Sequence, residues 1–243
     1  MKAVRAVLFD FGHTLVDFAR TEEALRDAYG IVRERLTVWV EDRAPPEVDE
    51  LVERIARAVD DMVGRSYAER RLEELDQVAL FEQAFAAIGY RLPRDLLHEV
   101  AEIDHDSFSR SLAAPESTLK TLERLRDVAV RLGVISNVSL LPHKIQADLA
   151  ELGIARYLDA AIFSSEVGWR KPDARIFLHA LGAIGAEPSE TVFVGDRLQD
   201  GGNDASLRRL PVALVSVRRP SDTLTWAREL VERLNESRTD DAG

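Results

Sequence analysis

Asp10 closes the apolar run Ala6-Val7-Leu8-Phe9 and is followed by the turn Phe11-Gly12-His13-Thr14. Three later stretches also follow apolar runs with reactive residues. Val134-Ile135 leads into Ser136-Asn137, Gly168-Trp169-Arg170-Lys171-Pro172-Asp173 follows a third run, and Val192-Phe193-Val194 leads to Gly195-Asp196, with Asp200 close behind. Together they supply a carboxylate that can act as a nucleophile, a hydroxyl beside a loop amide, a lysine and two more carboxylates. Crowded carboxylates repel one another, so at neutral pH they hold a cation or one of them keeps its proton. The donors are oxygens, with neither His nor Cys among them, which suits Mg²⁺. A divalent ion, a lysine and a hydroxyl around one carboxylate are the parts of a phosphoryl-transfer site: the cations neutralise the equatorial oxygens while the carboxylate attacks in line. Taken alone, Asp10 also admits a plainer reading, as a cap on the segment after its strand.

For these residues to meet, the apolar runs must be parallel strands, because open α/β sheets bind ligands at the carboxyl ends of their strands. Val4 to Phe9 is continuously apolar, as expected of a strand covered by helices on both faces. From about Arg20 to Ser111 the pattern is purely helical, with Leu51, Ile55, Ala58 and Met62 at helical spacing. Breaks are expected near Ala44-Pro45-Pro46, Gly64, Gly89 and Pro93, giving a bundle of four or so helices. After Pro115 helices and strands alternate: helix Ser117 to Asp127, strand Val130 to Ile135, helix Pro142 to Leu152 and strand Ala160 to Phe163. Helix Ala174 to Ile184, strand Thr191 to Val194, a short helix near Ala205, strand Val212 to Val217 and helix Asp222 to Leu234 complete the series. The expected fold is α/β: a three-layer, Rossmann-like parallel sheet core interrupted by an inserted all-helical cap domain. The core would take residues 1–16 and 115–235, the cap 17–114 over the carboxyl edge of the sheet, and 236–243 a flexible tail.

Composition narrows the partners. A formal net charge of −11 argues against nucleic acid, whose phosphates need a basic surface. No apolar run approaches the about 20 residues that cross a bilayer, and the N-terminus lacks a secretory pattern, so a cytoplasmic protein with no membrane partner is expected. The absence of Cys excludes disulfides and thiolate chemistry. Lysine occurs only at Lys2, Lys120, Lys144 and Lys171, the other basic residues being Arg.

The four reactive segments, in this order and with a helical insertion after the first, resemble the haloacid dehalogenase superfamily of hydrolases, in the version with a helical C1-type cap. The resemblance covers nearly the whole chain except the tail. It implies that Asp10 is the nucleophile that becomes an aspartyl intermediate, that Ser136 with the amide of Asn137 binds phosphate, and that Lys171 holds the nucleophile and the phosphoryl charge. It implies metal binding by Asp10, the main-chain carbonyl of Gly12 and Asp196, with Asp200 more distant or acting through water. Phosphatases of this superfamily usually carry a second Asp, the general acid and base, two residues after the nucleophile. Here that residue is Gly12, and such assistance is worth about 10²–10⁴ in rate. The resemblance therefore implies a Mg²⁺-dependent phosphatase of a small phosphorylated metabolite, working as a monomer or homodimer without that acid. A phosphate-ligand binding or regulatory protein of the same fold and a 2-haloacid dehalogenase are the alternatives.

Other features have plainer expectations. Asp104-His105-Asp106 is expected on a solvated helix surface, since consecutive helical residues do not share a face. Arg65, Arg70 and Arg71 are read as a solvated face, Asp204 as a helix cap, and Trp169 as either a packing residue or part of the site entrance. His13 adjoins Gly12 and is a minor candidate for a substitute acid.

Overall fold

The structure, a computed structural model, describes residues 4–39, 44–139, 141–196 and 212–240, with side chains through 235. Five strands form one parallel sheet: β1 (Ala6–Phe9), β2 (Arg131–Ser136), β3 (Ala160–Phe163), β4 (Thr191–Gly195) and β5 (Ala213–Ser216), in the order β3-β2-β1-β4-β5. The central β1 is completely buried, as its unbroken apolar sequence requires, and Phe9 stands level with Val134 on one side and Val194 on the other. Asp10, Ser136 and Gly195 therefore end neighbouring strands on the same edge.

Between β1 and β2 the chain forms α1 (Glu22–Trp39), α2 (Val48–Leu51), a π-helical turn (Val52–Ala56), α3 (Arg57–Ala68), α4 (Gln77–Ala87) and α5 (Arg94–Ser109). Their apolar faces share one core that includes Tyr29, Leu36, Ile55, Phe81, Phe85 and Val100. The expected break at Gly64 does not occur. α3 runs through it, with open space where a side chain would stand, and an exposed glycine costs a helix only about 1 kcal/mol. The chain leaves and re-enters the sheet unit through Asp17 and Ala113, which exchange both backbone hydrogen bonds at 2.9 Å.

The remaining helices cover the sheet: α6 (Glu116–Asp127), α7 (Pro142–Glu151), α8 (Ser164–Val167), α9 (Ala174–Ile184) and α10 (Pro220–Asp240). One face packs Val7, Phe9, Leu132 and Val134 with residues of α6, α7 and α10, while the other packs Leu8, Ile135 and Phe193 with α9. These are the three expected layers. The helix expected near Ala205, the cap role of Asp204 and the metal role of Asp200 fall outside the described residues.

Asp104 and His105 depart from expectation. Both are buried, and only Asp106 of the three faces solvent. α5 lies between the helical block and the sheet unit, so its consecutive residues point into two different interfaces. Asp104 accepts from Tyr29 Oη at 3.2 Å and pairs with Arg20, which also contacts Asp60. His105 turns the other way, with Nε2 2.9 Å from Asp148 of α7. Arg65, Arg70 and Arg71 are exposed, as expected.

Candidate active site

Asp10 extends beyond β1 at the carboxyl edge, its N–H donating to Val194 O at 2.8 Å. Its Oδ1 accepts the Phe11 N–H at 2.7 Å and lies 2.6 Å from Lys171 Nζ. Oδ2 has no partner among the described residues. The ammonium also donates to Ile135 O at 2.7 Å, so Lys171 spans the ends of β1 and β2. Its backbone is held from the β2 side. Lys171 N–H donates to Asn137 Oδ1 at 2.6 Å, and Asn137 Nδ2 donates back to Lys171 O at 3.0 Å. Asn137 thus has a side-chain clamping contact, a role beyond the backbone amide that the sequence reading singled out.

Ser136, at the end of β2, is buried, and Asp196 follows β4 in a half-buried position. Gly195 permits close approach here, because a Cβ at that position would lie 3.4 Å from Asp10 Cβ and 3.2 Å from the Phe193 ring. The edge therefore gathers Asp10, Ser136, Asn137, Lys171 and the strand end that carries Asp196.

The donor chemistry fits a hard divalent cation. The Asp10 carboxylate, the carbonyl of Gly12 and the Asp196 carboxylate all offer oxygen donors near the ends of adjacent strands. No cluster of three His, Cys, Asp or Glu side chains suited to a metal occurs among the described residues. The candidate set therefore rests on two described carboxylates and a carbonyl.

At Gly12 the space for a side chain is already taken. A Cβ there would come within 2.9 Å of Phe18 Cε1. The Phe18 ring stacks on His13 with centroids 4.5 Å apart and meets Phe108 of α5 edge-on at 4.8 Å. His13 adopts φ +56° and its ring packs against this aromatic group. Nothing in the local sequence announced Phe18, which meets Gly12 because the chain turns back between Phe11 and Val16.

Trp169 packs under the Arg175 guanidinium and bridges to Glu73. Sequence reasoning gave no role to Arg170 or Glu74, although Arg170 directly precedes Lys171. The two form an ion pair at 2.5 Å with almost no exposure.

A protein-family model described as haloacid dehalogenase-like hydrolase matches residues 4–201. The chain belongs to that family. Among its relatives is a glyceraldehyde 3-phosphate phosphatase from Methanopyrus kandleri, 29% identical over 208 residues, which are 84% of this chain and 82% of that protein. A HAD phosphatase from Thermococcus onnurineus superposes with a TM-score of 0.52 at 25% identity, covering 88% of this chain and 86% of the other. A HAD hydrolase from Bacillus subtilis bound to magnesium shares the fold, with a TM-score of 0.58, 17% identity and coverage of 96% and 100%. The chain is thus a HAD hydrolase with a helical cap inserted after β1. No helix among the described residues is long and apolar enough to cross a membrane.

Proposed function

We propose that this HAD hydrolase is a Mg²⁺-dependent phosphatase of a small phosphorylated metabolite, acting through an aspartyl-phosphate on Asp10, with residues 17–114 as its cap. The observation that carries the reading is the Asp10 carboxylate at the carboxyl end of β1. One of its oxygens is held by Lys171 and Phe11 N–H, and the other has no partner among the described residues. A carboxylate fixed in this way is oriented for attack. The adjacent ammonium lowers the cost of bringing an anionic phosphoryl group to it.

In this reading Oδ2 of Asp10 attacks phosphorus, and Ser136 and the Asn137 amide bind the phosphoryl oxygens. Lys171 stays over the shared charge, its position set by Ile135 O and Asn137. Bound through Asp10, Gly12 O and Asp196, Mg²⁺ would neutralise charge developing on the transferred group. With no carboxyl group at position 12 and Phe18 filling that space, the leaving group departs without an acid from that position. Substrates whose leaving group needs little protonation are therefore favoured. Relatives that are glyceraldehyde 3-phosphate phosphatases support a small phosphate ester as the substrate class.

The test is phosphate release from acetyl phosphate, p-nitrophenyl phosphate and glyceraldehyde 3-phosphate, with and without Mg²⁺. Turnover should require Mg²⁺ and favour the activated substrates. Asp10→Asn should abolish it, and Asp196→Asn should raise the Mg²⁺ concentration needed by roughly tenfold or more. Ligand binding without turnover on any of the three would favour the binding alternative. Halide release from 2-haloacids in the presence of a chelator would favour dehalogenation.

A further inference from the structure

The largest fully buried side chain among the described residues is charged: Arg170, 1% exposed. Its partner, Glu74, lies in the cap stretch between α3 and α4, and its side chain is 2% exposed. Arg170 Nε and Nη2 donate to Glu74 Oε1 at 2.8 and 2.5 Å, and Nη1 donates to Ser66 Oγ at 2.6 Å. The guanidinium lies 4.2 Å from the centre of the Tyr67 ring. The backbones pair as well: Arg170 N–H donates to Leu72 O at 2.7 Å and Glu74 N–H to Gly168 O at 3.0 Å.

The second oxygen of Glu74 accepts from Ser164 Oγ, which in turn accepts the Val138 N–H at 2.8 Å. Through Arg170, then, Glu74 reaches the residue before Lys171, and through Ser164 it reaches the residue after Asn137. Lys171 and Asn137 are the two that clamp each other beside Asp10. Replacing a buried ion pair by apolar residues of similar volume is often neutral or stabilising, so stability alone is a weak account of why charge is buried here. Geometry is a better one, since a single carboxylate ties both halves of the clamp.

We infer that Glu74 is a positioning residue supplied by the cap, which sets the placement of Lys171 against Asp10 through Arg170 and Ser164. Only the kinetic arm of its test rests on the phosphatase reading. The scarcity of lysine provides an independent arm: labelling the lysine side chains with ¹³Cε and ¹⁵Nζ gives signals from just Lys2, Lys120, Lys144 and Lys171, with Lys171→Arg identifying the last. Lys144 of α7 pairs with Asp106 of α5, so it reports on the other junction between cap and core. Glu74→Gln should shift the Lys171 signals while those of Lys144 and Lys120 stay in place. It should also lower kcat for p-nitrophenyl phosphate by roughly 10–100-fold with little change in KM, as a small displacement of a catalytic group does.

An unmoved Lys171 signal overturns the inference. So does a joint shift of Lys171 and Lys144, which would make Glu74 a general docking residue. If Glu74→Gln leaves too little folded protein, the double variant Glu74→Gln with Arg170→Gln removes both charges together and is read the same way. Should the wild type release no phosphate at all, the functional reading fails, and the Lys171 signals still decide the role of Glu74.

Discussion

At the scale of single residues, Gly12 and Phe18 have to be considered together. The superfamily pattern would place a second carboxylate at position 12, yet the ring of Phe18 stands 2.9 Å from where that side chain would begin, held between His13 and Phe108. What stands against a side chain there is the neighbouring ring, since the backbone of Gly12 does not adopt a left-handed conformation. Restoring the acid alone should therefore fail. Gly12→Asp is expected to destabilise the fold by about 1–3 kcal/mol, the usual cost of overpacking, and to leave kcat on an unactivated alkyl phosphate no higher. Combining it with Phe18→Ala makes room, and kcat on the same substrate should then rise by about tenfold or more, toward the 10²–10⁴ typical of acid catalysis. Steady-state rates and urea midpoints for the two variants check both halves. A gain from Gly12→Asp by itself would mean that the aromatic group yields readily.

Among the elements, α5 shows how much a sequence pattern can and cannot reveal. The periodicity predicts a helix here, and Pro93 marks its start correctly. That Asp104 and His105 are buried depends on α1 and α7, whose packing no local pattern encodes. Burial pushes the Asp104 carboxyl up to about 6 from an ordinary 3.8, with Arg20 opposing the shift and the Asp60 carboxylate adding to it. The folded state thus holds this proton more tightly than the unfolded one. The contribution of Asp104 to stability is complete below about pH 4 and is lost as pH rises through about 6. Asp104→Asn cannot ionise, so its stability relative to wild type should increase between about pH 4 and about pH 7, measured by urea unfolding at both. A difference that does not change with pH would contradict the burial argument. The strands were more legible than the helical interfaces. Each apolar run ending in Asp10, Ser136-Asn137 or Gly195-Asp196 is a local signal, and parallel pairing brings those ends to one edge. Phe18, Glu74 and Arg170 act through contacts between segments far apart in the chain, for which a single sequence holds no marker.

Across the whole molecule, the two connections between cap and core pair with each other at Asp17 and Ala113, and among the described residues the cap meets the core through α5 with α7, at His105 and Asp148, and through the pairing of residues 72–74 with 168–170. The last two approach the candidate site closely, since Phe108 of α5 packs on Phe18 beside Gly12 and Arg170 precedes Lys171. The helical block therefore helps to shape the candidate site. All of this converges on one claim, that the assembled edge makes Asp10 accept a phosphoryl group. An acyl phosphate is reduced by borohydride to an alcohol, so trapping the protein during turnover of acetyl phosphate with Mg²⁺ and mapping its peptides by mass spectrometry tests the claim directly. Homoserine should appear at position 10, only when Mg²⁺ and substrate are both present. Sustained phosphate release with no modification at position 10, or release that persists in Asp10→Asn, would contradict the account.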